Sequence, residues 1–217
     1  KEKLKNFKLF DFDLKEGVVF EKGCVYLAEI EESISLPSNI EGIANAKSSI
    51  GRLDILTRLI TDYGKEFDRI PKGFSGRLYV EISPKSFPVL VKSGQKLNQI
   101  RLRVGKTVLS DDQLKKLTTK ISIMDQIAVI DNGLSFSVDL SKNNENLIGY
   151  KAKSQTQIIN LEKLNFYNIL DFWEPLSSHK DSLILDPGAF YILVSKEEVY
   201  IPPNYAAEMI PYIPMVG

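Results

Sequence analysis

The feature that most limits how this chain can fold is a series of short apolar segments separated by turn residues. The candidate strands are residues 18–35, 78–82, 88–91, 97–104, 121–130 and 134–140. Asp131-Asn132-Gly133 separates the last two, and Asn-Gly in that position is a strong hairpin signal. Short strands with frequent Gly and Pro between them predict a mainly β protein, built as a barrel or a sandwich.

Helices are predicted to be few and short. Ser110 and Gln113 have the spacing of a capping box, which predicts a helix from there to about residue 118. Residues 49–59 and 161–170 also show helical spacing, and they are two further candidates.

Composition excludes several functional classes. The 217 residues contain 28 Lys plus Arg and 28 Asp plus Glu, so no broad surface for nucleic acid or membrane is expected, although a small anion needs only a few local cations. No apolar run reaches the length of a membrane span. Cys24 is the single cysteine, which excludes an internal disulfide and predicts a cytoplasmic protein. Because the first residue is Lys1 and not methionine, we expect residues to precede it.

An internal repeat organises the chain. Residues 23–28 recur as 188–193, an offset of 165 (188 minus 23), and the register continues without gaps. The later matches are Glu32 with Glu197, Ile34 with Val199, Pro37 with Pro202, and Asn39 with Asn204. A chance likeness of strand patterns is the alternative, but the ungapped series favours duplication. We therefore predict a first unit over 1–175 and the start of a second over 176–217, with its remainder beyond Gly217.

The segment Ala46-Lys-Ser-Ser-Ile-Gly-Arg52 precedes a helical pattern. Hydroxyls and free amides at the start of a helix, with cations beside them, can bind phosphate. The alternative is that the two serines simply cap the helix.

A second segment brings a carboxylate into a strand. The turn-rich loop 68–76 leads directly into the strand 77–82, in which Glu81 shares a face with Tyr79. Leu78, Val80 and Ile82 occupy the other face, which is expected to face the core. Glutamate is unfavourable in strands and is rarely buried without a partner, so Glu81 is either a solvent-facing residue or a functional one.

Taken in order, these segments resemble the dCTP deaminases. The likeness rests on Lys-Ser-Ser-Ile-Gly-Arg, on Arg-Ile-x-x-Gly-Phe-Ser-Gly, on the strand with Glu81, and on Gly-Gln-x-x-x-Gln-Ile, and it is densest over 37–103. The repeat and residues 171–175 and 206–209 resemble the double-length bacterial members. The resemblance implies a dUTPase-like β-clip fold and a trimer, or a pseudo-equivalent built from repeats. It also implies hydrolysis of Mg²⁺-bound dCTP to dUTP and ammonia in the synthesis of dTTP precursors.

The resemblance also implies roles for individual residues. Glu81 would be the general acid and base, Ser48 would hold the attacking water, and Arg52 would lie beside Glu81. The implied substrate-binding residues are Lys47 and Ser49 at phosphate, Arg69 near base and sugar, and Lys153 and Gln157 on a segment covering the substrate. Gln95 and Gln99 are expected to maintain a hairpin. Mg²⁺ would be bound through the triphosphate, with no metal ligand from the protein.

The histidine and cysteine content bears on the type of deaminase. Most cytosine deaminases hold zinc with His and Cys side chains. The chain has one histidine, His179, which is expected on the surface, and one cysteine. Such a zinc site cannot be built from them, so a deaminase here is predicted to use a glutamate instead.

Three other functions remain open. A dUTP pyrophosphatase on the same fold would need an aspartate to activate water, but none follows Ile70, and Asp68 is out of register. A bifunctional enzyme that converts dCTP to dUMP is also compatible with the sequence. A non-catalytic nucleotide-binding or structural repeat is the alternative of another class.

Overall fold

The computed structural model describes residues 8–141, 147–177 and 182–210. His179 lies outside these residues. The chain divides into two compact units. The first contains Lys1–Lys106, Lys151–Glu174 and Leu185–Tyr191, and the second contains Thr107–Tyr150, Pro175–Ile184 and Ile192–Gly217. The predicted boundary at 175–176 concerns where a repeated sequence begins, and this division into compact units does not test it.

The described residues form twelve strands and three short helices, so the mainly β prediction is confirmed. The strands are β1 Val18–Phe20, β2 Tyr26–Ser35, β3 Ile40–Ala46, β4 Ile55–Thr61, β5 Arg69–Ile70, β6 Ser75–Pro84, β7 Val89–Val91, β8 Asn98–Val104, β9 Gly149–Ala152, β10 Ile159–Asn160, β11 Trp173–Leu176 and β12 Tyr191–Leu193. The helices are α1 Ser48–Gly51, α2 Asp111–Lys120 and α3 Ile169–Phe172.

The strands form four sheets of three strands, with orders β1-β7-β10, β11-β9-β12, β2-β6-β4 and β5-β3-β8. None of these sheets closes on itself among the described residues, where the sequence predicted a barrel or a sandwich. Strand β8 is an edge of its sheet, and its residues Ile100, Leu102 and Val104 are exposed.

The helix predictions were right at one position and too long at two. The capping box is present, because the Ser110 side chain accepts from the Gln113 backbone and the Gln113 side chain accepts from Ser110. The candidate at 49–59 is wrong beyond α1, because residues from Ile55 onward are alternately buried and exposed with the period of a strand, as β4. The candidate at 161–170 reduces to the single turn α3.

The predicted hairpin around Asn132 is present only as a tight turn. Asn132 and Gly133 both have positive φ, and an isolated bridge joins Ile130 to Leu134. The flanking segments do not continue as strands. The turn is instead held by the Asp111 carboxylate, whose oxygens each accept a backbone N–H of the turn at 3.0 Å.

The core of the first unit lies behind the sheet β2-β6-β4. Strand β6 buries Leu78, Val80 and Ile82, as the alternation predicts. Phe87 is fully buried and makes edge contacts with the rings of Phe172 and Trp173 at 5.9 and 5.2 Å between centroids. This aromatic group ties segments from distant parts of the chain into one core.

The local geometry at the start of the repeat is the same in both copies. Gly23 and Gly188 both take left-handed φ, of 79° and 73°. The next tyrosine in each copy accepts a backbone N–H from five residues earlier, at 2.8 Å in the first copy and 3.0 Å in the second. The turns after Pro37 and Pro202 also match, with N–H···O distances of 3.0 and 2.9 Å. Equal turns at the same offset support duplication.

In the part of the chain that the structure describes, no helix is long and apolar enough to cross a membrane.

The aromatic core generates a stability prediction. We expect Phe87→Ala to lower the free energy of unfolding by about 3–5 kcal/mol, because it removes a fully buried ring and leaves a cavity. Urea denaturation measures this. Phe10→Ala is the control, because Phe10 is 76% exposed, and it should change stability far less. Equal losses in the two variants would contradict this assignment of the core.

Candidate active site

Glu81 lies on the central strand of the sheet β2-β6-β4, on the face away from the core. Its cross-strand partners are Leu27 on β2 and Arg58 on β4. Its side chain is 18% exposed. The prediction that Glu81 and Tyr79 share the face opposite Leu78 is therefore confirmed.

The guanidinium of Arg58 contacts the carboxylate of Glu81. Nε and Nη2 of Arg58 both donate to Oε1 of Glu81, the first at 2.9 Å. The ring of Phe67 covers the other side of Arg58, with its centroid 4.2 Å from Cζ. Arg58 thus holds Oε1 of Glu81, and Oε2 makes none of the hydrogen bonds found among the described residues.

Among the described residues, Arg52 makes no hydrogen bond or ion pair with Glu81. It is exposed and follows α1, where its backbone N–H donates to the Ser48 carbonyl. The cation bonded to Glu81 is Arg58, which the cross-strand register places opposite it and which local sequence spacing does not reveal. The expected place of Arg52 beside Glu81 stays a prediction.

The two serines of α1 do not cap that helix. Lys47 is its N-cap residue, and no side chain caps it. The Lys47 N–H donates to the Leu97 carbonyl at 2.9 Å, and buried Ile50 anchors the turn in the core. Ser48 and Ser49 are exposed, and their hydroxyls make none of the hydrogen bonds found among the described residues. The capping alternative therefore fails, and both hydroxyls can meet a ligand.

The glutamines of the neighbouring hairpin serve the backbone, as expected. The side-chain oxygen of Gln95 accepts from the Lys92 N–H at 3.1 Å, and the Gln99 amide donates to the Ala46 carbonyl at 3.5 Å. Gln95 thus closes its own turn, and Gln99 holds the residue that precedes Lys47.

Asp68 has a structural role in the loop after β4. Its Oδ1 accepts the N–H of fully buried Leu59 at 2.7 Å, and its own N–H donates to the Leu59 carbonyl. Burial raises the pKa of Asp68, and the bond from Leu59 and the charge of Arg58 oppose this increase. The next residue, Arg69, is exposed and pairs with Glu66 at 3.6 Å.

Lys153 lines a cavity of about 280 Å³ in the first unit. Its ammonium donates to the Leu170 carbonyl at 2.6 Å, and Lys22, Lys85 and Lys151 lie in the same cavity wall. Gln157 is exposed on the segment that leads into β10. Among the described residues, no three His, Cys, Asp or Glu side chains gather as a metal site.

Apolar side chains flank Glu81 on its open face. Leu27, directly opposite it, is 45% exposed, and Leu56, opposite Ser83, is 42% exposed. A carboxylate and its cation inside an exposed apolar surface are typical of a face that another surface covers.

The role of Asp68 can be tested by substitution. Asp68→Ala should lower the free energy of unfolding by about 1–3 kcal/mol, because the buried Leu59 N–H loses its acceptor. Asp68→Asn keeps an acceptor oxygen and should lose much less. Urea denaturation near neutral pH distinguishes the two, and equal losses would contradict the hydrogen-bonding role.

The same variants give a pH dependence. Because the pKa of Asp68 is raised in the folded protein, its contribution to stability is fully present at low pH. It is lost as pH rises through the folded pKa. Asp68→Asn should remove this decline, which denaturation between about pH 3.5 and 7 would show. An unchanged slope would contradict the shift.

Comparison with protein families matches almost the whole chain. Residues 1–107 match the N-terminal domain of 2'-deoxycytidine 5'-triphosphate deaminase, and residues 110–217 match its C-terminal domain. The change between the two matches lies next to the first break between the compact units, after Lys106, and the C-terminal match also contains Lys151–Glu174 and Leu185–Tyr191 of the first unit.

Individual relatives agree. The chain is 34% identical over 88 residues to the "dCTP deaminase, dUMP-forming" of Corynebacterium glutamicum, covering 40% of this chain and 43% of that one. It is 32% identical over 98 residues to the dCTP deaminase of Ignicoccus hospitalis, covering 44% of this chain and 49% of the relative.

A solved structure is similar over the full length of the chain. The 2'-deoxycytidine 5'-triphosphate deaminase of Agrobacterium tumefaciens superposes with a TM-score of 0.93 at 46% identity, covering 100% of this chain and 66% of that one. The chain thus spans less than half the length of the curated relatives above and about two thirds of this neighbour. On these matches and on the arrangement around Glu81, the chain belongs to the dCTP deaminase family.

Proposed function

We propose that this protein catalyses the hydrolytic deamination of dCTP to dUTP and ammonia, with Glu81 as general acid and base. The observation that carries the proposal is the placement of Glu81. It is a largely buried carboxylate on an open sheet face, in a chain of the dCTP deaminase family, with one oxygen held by a cation and the other available.

The proposed reaction needs one group that both accepts and donates protons. Glu81 takes a proton from a water held by Ser48 as the water oxygen bonds to C4 of cytosine. It delivers that proton to N3 and then takes the second proton from the new C4 hydroxyl as the C4 carbonyl forms. It passes this second proton to the amino group, the bond between C4 and nitrogen breaks, and ammonia leaves. General acid and base work of this kind contributes about 10²–10⁴ in rate.

The remaining proposed contacts bind the triphosphate and the nucleoside. Lys47 and Ser49 on the exposed turn α1 are assigned to phosphate, and Arg69 to the base and sugar. Lys153, which lies in a lysine-rich cavity, and Gln157 are assigned to the segment that covers the substrate. Mg²⁺ is proposed to arrive with the triphosphate and to neutralise part of its charge.

We propose that each site is shared between copies of the chain in a trimer, or between repeats in a pseudo-equivalent. The exposed apolar residues beside Glu81 and along the open edge β8 support this arrangement. So does the lack of an ion pair between Arg52 and Glu81 among the described residues of one chain. A neighbouring copy would bring Ser48 and Arg52 to Glu81, and oligomers built by rotation place such heterologous surfaces together.

The absence of zinc from this proposal rests on the sequence. The chain contains one histidine and one cysteine, too few for the His and Cys set of the zinc deaminases. A cytoplasmic role in supplying dTTP precursors accompanies the proposal.

Particular observations bear on each of the three alternative functions. Asp68 is bonded into the backbone at Leu59, which disfavours it as the base of a dUTP pyrophosphatase. Some relatives are named dUMP-forming dCTP deaminases, which favours a bifunctional reaction as the second candidate. A non-catalytic repeat is disfavoured because Ser48, Arg52 and Glu81 are all present.

The first test is the reaction itself. Full-length protein with dCTP and Mg²⁺ should release ammonia and dUTP, whereas Glu81→Gln should lose at least about 10²-fold in rate because it cannot exchange the proton. Ammonia detection and nucleotide chromatography measure both products. Glu29→Gln is the control, because Glu29 lies on the neighbouring strand of the same sheet and pairs with Arg77.

Each other outcome selects a different function. Ammonia with dUMP would indicate the bifunctional enzyme, and cleavage of dUTP with intact dCTP would indicate the pyrophosphatase. No reaction by correctly assembled protein would contradict the deaminase proposal. Full activity in Glu81→Gln would contradict the role of Glu81.

Sharing of the site is tested by mixing two inactive variants. Glu81→Gln and Arg52→Gln, unfolded and refolded together in equal amounts, should recover about a quarter of wild-type activity. Half of the sites receive an intact Glu81, and half of those receive an intact Arg52 from a neighbour. Each variant refolded alone is the control. No recovery in folded mixed oligomers would place both residues in one chain's site.

A further inference from the structure

We infer that Arg58 is a positioning residue that holds Oε1 of Glu81, so that Oε2 is the oxygen that accepts and donates the proton. This inference rests on the proposed function, because it assigns the atoms of the same site. Nothing in the sequence motifs pointed to Arg58, which lies between the motif at 47–52 and the motif at 69–76.

The atoms that make the contact carry the argument. Nε and Nη2 of Arg58 both donate to the same carboxylate oxygen, Oε1. A carboxylate held by two donors at one oxygen cannot rotate freely, and its second oxygen is left in a defined direction. Since Oε2 makes no described hydrogen bond, it is the atom that can meet water and cytosine.

Arg58 is itself fixed by two features. It lies directly opposite Glu81 in the antiparallel ladder, so the backbone sets the separation of the two side chains. The Phe67 ring packs against the guanidinium at 4.2 Å. Asp68, the residue after Phe67, bonds to Leu59 next to Arg58 through both its carboxylate and its N–H. The loop therefore holds the ring over the guanidinium.

A second ion pair on the same sheet lacks the packing and the double hydrogen bond of the Arg58–Glu81 pair. Arg77 on β6 pairs with Glu29 on β2, and the Arg77 side chain is 68% exposed. Arg77 bonds through Nη1 alone and has no aromatic ring over it among the described contacts. Both pairs contribute charge to one face, but only Arg58 is packed and doubly bonded.

The experiment compares Arg58→Gln and Arg58→Lys with Arg77→Gln in the full-length protein. For Arg58→Gln we expect kcat with dCTP to fall about tenfold to a hundredfold, with KM changed less than about threefold, because orientation of the base is lost and binding is not. Arg58→Lys should recover part of the rate, because it restores the charge without the two-donor contact.

Arg77→Gln is the matched control, and it should leave kcat and KM unchanged. A loss in Arg58→Gln that lies in KM and not in kcat, or an equal loss in Arg77→Gln, would overturn the positioning role. Thermal unfolding of all three variants separates loss of folded protein from loss of rate. Unchanged kcat in folded Arg58→Gln would also overturn it.

A spectroscopic readout separates failure of this inference from failure of the proposed function. Carbon-13 NMR of glutamate carboxyls at one neutral pH, with the Glu81 signal assigned from Glu81→Gln, reports the contacts of the Glu81 carboxylate whether or not the protein is active. If wild type releases no ammonia from dCTP, the proposed function fails. If the Glu81 carboxyl signal has the same chemical shift in wild type and Arg58→Gln, the ion pair itself is refuted.

Discussion

The register between β4 and β6 is the constraint on which the rest of the site depends. In this ladder Leu59 lies opposite Val80 and Arg58 lies opposite Glu81. The first pair faces the core and the second faces outward, because successive side chains of a strand point to opposite faces. A shift of β4 by one residue would turn Arg58 toward the core and Leu59 toward the outer face. The same register therefore stabilises the core and aligns the guanidinium with the carboxylate, and burial of the core fixes the geometry of the site.

The sequence predicted those features that depend on local pattern and missed those that depend on pairing between strands. The faces of β6 followed from alternation, and the capping box at Ser110 followed from a four-residue spacing. The extent of α1 was overestimated because an apolar run near Ile55 fits a helix and a strand equally well, and only the neighbouring strand decides. Arg58 was missed for the same reason. Its signal was present, as an arginine among alternating apolar residues of β4, but its partner is 23 positions away.

The exposure of the motif residues in a single chain is itself informative. The serines of α1 are exposed and their hydroxyls do not cap the helix. No contact among the described residues therefore explains why these two positions are serines. Glu81 is likewise on an open face, among exposed apolar side chains. Local stability explains neither arrangement, because exposed apolar surface and unused hydroxyls contribute nothing to a single folded chain. Both are explained if the functional surface is completed by a second copy, which is why the site is better predicted from family resemblance than from any one chain's geometry.

The choice between deaminase and pyrophosphatase reduces to which carboxylate has an available oxygen and a suitable cation. Asp68 accepts the N–H of buried Leu59, and replacing that bond would leave a backbone donor unsatisfied in the core. Its position at the end of the loop thus has a structural explanation. Glu81 has no such explanation, because β6 would be at least as stable with a β-branched residue on that face. A glutamate that the strand does not need, held at one oxygen by a packed arginine, is best accounted for by proton transfer at its other oxygen. That argument depends on the Arg58 contact, so the same ion pair that orients Glu81 also supports the deaminase assignment.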